Sequence, residues 1–79
     1  METKIKLIWD FRGPSAQAIA RHHLVHLREY IVSEGLDITI TGQKELSDLH
    51  SLAYMVVQES QMPEIRDRLR PHRGEIYDD

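Results

Sequence analysis

A chain of 79 residues without cysteine is long enough for one domain, over residues 1–79, with a thin core and no disulfide or cysteine-based zinc site. Proteins that bind nucleic acid in general present a basic surface, and the formal net charge here is −3, so we expect no nucleic-acid partner. No apolar run has the length of a membrane span or the pattern of a signal peptide. These features predict a cytoplasmic protein without a membrane partner.

The first strand and the long helix after it have the clearest patterns in the chain. Lys4 to Phe11 alternates between apolar and polar residues, which predicts a strand with Ile8 on the more polar face. Pro14 to Glu34 has apolar residues at spacings of three and four, which predicts a helix that ends before a left-handed Gly35. Ser15 is a candidate cap for this helix.

The middle of the chain predicts two further strands. Asp37 to Thr41 is alternating and β-branched, so we place the second strand there, and we interpret the polar segment from Gly42 to His50 as a turn. Ser51 to Glu59 predicts the third strand. Both of its faces are apolar, which is typical of a central strand that is covered on both sides.

The last third of the chain predicts a second helix and a short edge strand. Ser60 is a candidate cap for the helix, which Pro71 ends. Gly74 to Tyr77 predicts the last strand. The apolar residues on the buried side of the second helix are Met62, Ile65 and Leu69.

The element order β-α-β-β-α-β predicts an α+β domain with a ferredoxin-like fold. Its sheet has four antiparallel strands in the order 4-1-3-2, and both helices lie on one face. The other face stays open and carries one apolar row of the third strand, either Leu52, Tyr54 and Val56 or Ala53, Met55 and Val57. We expect a homodimer in which two such faces cover each other. The interface residues assigned are Ile8, Ala53, Met55 and Val57.

The histidines of the first helix are candidates for a functional site. His23 falls on the apolar face, either as a packed histidine at the edge of the core or as an acid–base catalyst that Asp10 orients. His22 and His26 are four residues apart and could share a metal ion. Two ligands do not make a site, so we predict no bound metal and no cofactor.

Two further groups of residues are candidates for binding an anion. The turn after the first strand opens a helix N-terminus, and Arg12, Gly13 and His26 are the candidates for holding a small ligand there. Five basic residues near the C-terminus alternate with acidic ones, which favours a salt-bridged surface over an anion site. They are Arg66, Arg68, Arg70, His72 and Arg73.

The helix sequence ARHHLVHLREY, the following TG and the strand AYMVVQES resemble the YCII-like branch of the dimeric α/β-barrel superfamily. The resemblance implies pairing of sheet on sheet and catalysis by a helix histidine with an aspartate; His23 or His26 matches that histidine. The branch has an Asp-Pro motif after its third strand, and here Arg70 to Arg73 stand in that region.

A second resemblance is to ACT-type regulatory domains, from the segments DFRGPSAQAIA and EGLDITI. It implies amino-acid binding at a dimer interface near Gly13. We therefore expect a homodimeric small domain without an assigned activity, with a small-molecule pocket near the first helix. The alternatives are a YCII-type enzyme and an ACT-like binding module.

Overall fold

The computed structural model describes residues 2–78 and contains six elements in the expected order. The strands pair antiparallel in the order β2-β3-β1-β4, which confirms the ferredoxin-like α+β fold with the first and third strands at its centre. In this part of the chain, neither helix is long and apolar enough to cross a membrane. The elements are β1 (Lys4–Arg12), α1 (Ala16–Ser33), β2 (Thr41–Ser47), β3 (His50–Gln58), α2 (Met62–Leu69) and β4 (Arg73–Tyr77).

The pairing of β1 with β3 decides which side chains enter the core. Directly opposed residues of an antiparallel pair point to the same side, so Trp9 shares a face with Ala53, and Leu7 with Met55. This face carries the helices. The core cluster contains Leu7, Trp9, Leu27, Ile38, Ala53, Met55, Val57 and Ile65.

This register corrects one part of the sequence analysis. Ala53, Met55 and Val57 lie beneath the helices and cannot form an interface on the open face, as we had assigned them. The open row of β3 is the other one, with Leu52, Tyr54 and Val56. The two rows are equally apolar in the sequence, so only the pairing with β1 distinguishes them.

An indole hydrogen bond holds α2 on the sheet. Trp9 Nε1 donates to the carbonyl oxygen of Leu69, at 2.9 Å, and so satisfies one of the carbonyls that a helix end leaves unpaired. Arg70 then takes a left-handed conformation, with φ 49°, just before Pro71. At the other end of α2 the N-cap residue is Gln61 and not, as the sequence predicts, Ser60. The Ser60 N–H donates to Glu2 Oε1 at 2.6 Å.

α1 buries the face that its periodicity predicts. Its buried residues are small towards the N-terminus and larger towards the C-terminus. The helix ends at Ser33, with Glu34 as its C-cap residue. Gly35 follows with φ 62°, and the Leu36 N–H donates to the Ile31 carbonyl oxygen at 3.0 Å. Ser15 is the N-cap residue but makes no side-chain hydrogen bond there. The buried residues are Ala16, Ala20, Leu24 and Leu27.

β2 lies further along the chain than the sequence predicts. Its ladder with β3 begins at Thr41, opposite Met55, and a turn of Asp48 and Leu49 joins the two strands. The segment 36–40 is irregular, and Ile38 is buried in the core. The prediction was wrong because β2 is an edge strand of mostly polar residues, which shows no alternation of apolar and polar side chains.

We expect Leu27→Ala to lower the free energy of unfolding by about 2–5 kcal/mol, because the Leu27 side chain is 1% exposed in the core. Urea unfolding followed by circular dichroism measures this change. Val32→Ala is the matched control, since Val32 lies on the same helix and is 80% exposed. Similar effects of the two substitutions would contradict the orientation of α1.

Candidate functional site

The open face of the sheet is the side without helices, and it consists of the even-numbered positions of β1 with the residues opposite them. Its apolar side chains are covered within the single chain: Ile8 is 1%, Leu52 5% and Val56 6% exposed. The positions around Ile8 on this face carry polar or amphipathic side chains. These positions are Lys6, Asp10, Tyr54 and Arg73. The open face is therefore a polar surface and not an exposed apolar patch.

Positive charge is concentrated on this face. Within residues 2–78, the strand register places five lysine or arginine side chains on the open face against two carboxylates, although the whole chain has a net charge of −3. Most of the acidic residues therefore lie on the helix side and in the loops. The cations are Lys4, Lys6, Arg12, Lys44 and Arg73, and the carboxylates are Asp10 and Glu75.

Asp10 is the centre of a hydrogen-bonded cluster on the open face. Arg73 donates to both carboxylate oxygens, from Nε to Oδ2 at 2.9 Å and from Nη2 to Oδ1 at 3.2 Å. His50 Nε2 donates to Oδ1 at 2.8 Å, and Arg73 Nη1 also donates to Glu75 at 2.9 Å. The hydrogen bond from Arg73 contributes most to lowering the Asp10 pKa to about 2, with His50 adding to it against the effect of burial.

The structure separates Asp10 from His23. The His23 ring lies on the helix side of the sheet, with its centroid 5.0 Å from that of Trp9 and 5.4 Å from that of Phe11. Burial lowers the His23 pKa, and the nearby His26, His72 and His22 lower it further. Its Nε2 atom is buried without a hydrogen-bond partner. The predicted catalytic pair is therefore not assembled, because successive residues of β1 point to opposite faces.

His50 is the partner that the sequence analysis missed. We had placed it in a turn, but it begins β3 opposite Arg12 and on the same face as Asp10. A signal was present, since alternation extended backwards from the open row of β3 reaches His50. To use this pattern one must know where β3 starts and which of its two apolar rows lies on the open face, and the sequence shows neither.

Tyr54 is the aromatic residue at the centre of the open face, and its ring lies against the backbone of β2. A Cβ atom at Gly42 would stand 2.5 Å from the Tyr54 hydroxyl oxygen and 2.7 Å from Cζ, so only glycine leaves room for the ring. The Lys6 ammonium lies 4.4 Å from the ring centroid, a cation–π distance. Gly42 and Tyr54 therefore form a preformed aromatic platform on a basic surface.

The predicted ligand-binding residues do not form one site. Arg12 ends β1 on the open face, whereas Gly13 has φ 111° and donates its N–H to the Leu49 carbonyl oxygen at 2.8 Å. His26 lies on the outer surface of α1, where its Nε2 is 3.0 Å from His22 Nε2. The turn is thus closed by the β2–β3 hairpin, and its N–H is not directed at a ligand.

The basic residues near the C-terminus include several in ion pairs, as their interleaving with acidic residues predicts. Arg68 Nη1 pairs with Glu34 at 3.1 Å and so connects α2 to the end of α1. Arg66 pairs with Asp67 at 3.5 Å. Their charge is therefore compensated locally.

Comparisons with protein-family models, with curated proteins and with solved structures found no match.

We expect zinc not to raise the melting temperature. The Nε2 atoms of His22 and His26 are hydrogen-bonded to each other, and Glu29 Oε1 contacts the other ring nitrogen of His26. Residues 2–78 contain no group of three or more ligands arranged to hold a metal. Thermal unfolding at increasing zinc concentrations measures the effect. A concentration-dependent rise that His22→Ala abolishes would contradict this expectation.

We expect Asp10→Asn to lower the free energy of unfolding at pH 7 by about 1–2 kcal/mol, allowing for solvent screening at the partly exposed Arg73. The folded-state pKa is lowered, so the ionised carboxylate stabilises the fold above about pH 4, and this stabilisation is lost as the pH falls through about 2. The difference between wild type and variant should therefore shrink over that range.

Urea unfolding at a series of pH values measures the difference. Glu59→Gln is the control, because Glu59 is an exposed carboxyl away from the Asp10 cluster. A stability difference for Asp10→Asn that stays constant from pH 7 to about pH 2 would show that the ion pair is not its cause.

Proposed function

We propose that this chain is a binding domain, without enzymatic activity, whose open face holds a small anionic ligand that contains a planar ring. The observation that supports it is the concentration of cations on the uncovered face of the sheet, around the Tyr54 ring. In an acidic chain this segregation is costly through mutual repulsion of like charges, and a bound anion relieves the repulsion.

The chemistry of the site follows from three neighbouring side chains. The Tyr54 ring is held against Gly42 and offers a planar surface for stacking, which contributes about 1–3 kcal/mol per ring in comparable aromatic sites. The flexible Lys6 ammonium can leave the ring and pair with a phosphate or carboxylate of the ligand. Lys44, on the other side of the platform and opposite Leu52, supplies a second cation.

The Asp10 cluster argues against an acid–base enzyme on this face. A carboxylate with a pKa of about 2 and both oxygens hydrogen-bonded is a poor proton carrier near neutral pH. The cluster instead holds β1, β3 and β4 together at one end of the face. This reading favours binding over the YCII-type catalysis that the sequence resemblance implies.

Homodimerisation stays part of the proposal, but the open face has no exposed apolar row to drive it. Ile8 is covered within the single chain, so Ile8→Glu should unfold the domain and not merely separate two subunits. The apolar side chains that are exposed, and that association would cover, lie outside the open face.

The ligand is tested with three probes that separate ring from charge: adenosine monophosphate, adenosine and inorganic phosphate. We expect saturable binding of adenosine monophosphate, detected as shifts of the backbone NMR signals of β1, β2 and β3. Adenosine and inorganic phosphate should bind much more weakly. Tyr54→Ala should weaken binding roughly 5- to 150-fold, the equivalent of one lost stacking contact. A single-stranded oligonucleotide is the fourth arm, and tight binding of it alone would identify a polymer as the ligand.

Matched variants test the charge contribution. Lys44→Gln should weaken binding of adenosine monophosphate, whereas Arg21→Gln on the exposed surface of α1 should not. Absence of saturable binding for every probe, or binding unaffected by both Tyr54→Ala and Lys44→Gln, would refute the proposal.

A further inference from the structure

The edge of the sheet at β4 is uncovered and apolar on the helix side. Within residues 2–78, β4 pairs only with β1, so its other edge has backbone groups free for pairing with another strand. Ile76, on that strand, is 75% exposed. Between β4 and α2 runs a groove of about 330 Å³, whose apolar lining is Ile5, Leu7, Met62, Pro71 and Ile76.

We propose that a second copy of this chain occupies this edge, with β4 pairing antiparallel to β4 of the partner. The two sheets then form one continuous sheet around a two-fold axis perpendicular to it. This inference does not depend on the ligand proposed for the open face.

Charge complementarity supports a second copy as the occupant. Side chains of β4 on the open face alternate in sign, with Arg73 opposite Ile8 and Glu75 opposite Lys6 in the β1 pairing. If the two-fold axis passes through Gly74, Arg73 of each copy faces Glu75 of the other. β4 is thus complementary to itself when reversed, as an interface between identical surfaces requires.

The same charges select this register over its nearest alternative. An axis through Glu75 would place the two Glu75 carboxylates directly opposite each other, which destabilises a strand pair. An axis midway between Gly74 and Glu75, which is a slip in register of one residue, would place open-face side chains opposite helix-face side chains, which the pleat of a sheet does not allow. The register centred on Gly74 satisfies both conditions.

This register also fills the groove. On the helix side, Ile76 of one copy lies opposite His72 of the other, beside Pro71 at the end of the partner's groove. Gly74, at the axis, has no side chain, so the two strands meet there without a steric conflict. The exposed Ile76 of each copy is thereby removed from water, which favours association by the hydrophobic effect.

Sedimentation equilibrium of the wild-type chain at tens of micromolar tests the association. We expect a dimer, and we expect Ile76→Asp to weaken its association at least about tenfold, as for a buried interface residue. Ile76 is exposed in the single chain, so this variant should fold, which circular dichroism verifies. Val32→Asp, at the exposed apolar position of α1, is the control and should leave the dimer unchanged.

A charge exchange tests the register. Glu75→Arg places Arg opposite Arg73 of the partner, and Arg73→Glu places Glu opposite Glu75, so each variant alone should be monomeric. Mixing the two variants restores opposite charges at every position, and we expect a heterodimer. Arg73→Glu also removes the ion pair with Asp10, so the stability of this variant is measured by urea unfolding. If Arg73→Glu does not fold, Glu75→Arg and Ile76→Asp are the decisive variants.

Three outcomes would overturn the inference. They are a monomeric wild type at these concentrations, a dimer that Ile76→Asp leaves intact, and a Glu75→Arg variant that associates as tightly as the wild type.

Discussion

The pairing of β1 with β3 over nine residues, from Lys4 opposite Gln58 to Arg12 opposite His50, is the constraint on which the rest of the structure depends. It divides the side chains of the two central strands into a core set and an open-face set. A slip of one residue would exchange the sets and bury charged side chains such as Asp10. On the open face the Asp10–His50 hydrogen bond joins the two strands, and on the other face the Trp9 hydrogen bond to Leu69 fixes β1 to α2.

The small size of the chain explains why the open face is so polar and yet so well covered. A domain of this length has few residues to spare for a second layer, and both helices lie on one side. The apolar residues of the other side are nevertheless buried, and lysine, arginine and tyrosine side chains occupy the positions next to them. The residues that surround the buried Ile8 are thus also those that give the open face its charge.

The fold was predictable because the strongest patterns lie in its central elements. The alternation in β1 and the helical spacing of α1 are set by burial on one face, and the charged ends of α2 mark its limits. β2 was missed because an edge strand of polar residues has no buried face to impose a pattern. The prediction for the open face was wrong because β3 is apolar on both sides. The prediction of a turn at Gly42 was wrong because a glycine is needed there to leave room for the Tyr54 ring, which is distant in the sequence. Such long-range reasons are absent from any local window of sequence.

The ligand site and the dimer edge that we propose occupy different parts of the sheet. The platform of Tyr54 and Gly42 lies on β3 and β2, whereas the dimer edge is β4, and β1 stands between them. Strands are about 4.8 Å apart, so the platform is roughly 10–15 Å from the edge. A two-fold axis perpendicular to the sheet would leave both open faces on the same side, with only the open-face side chains of β4 in contact with the partner. At the proposed axis the Arg73 and Glu75 charges would compensate each other, so the positive charge that remains for an anion is that of β1 and β2, where Lys6 and Lys44 flank the ring.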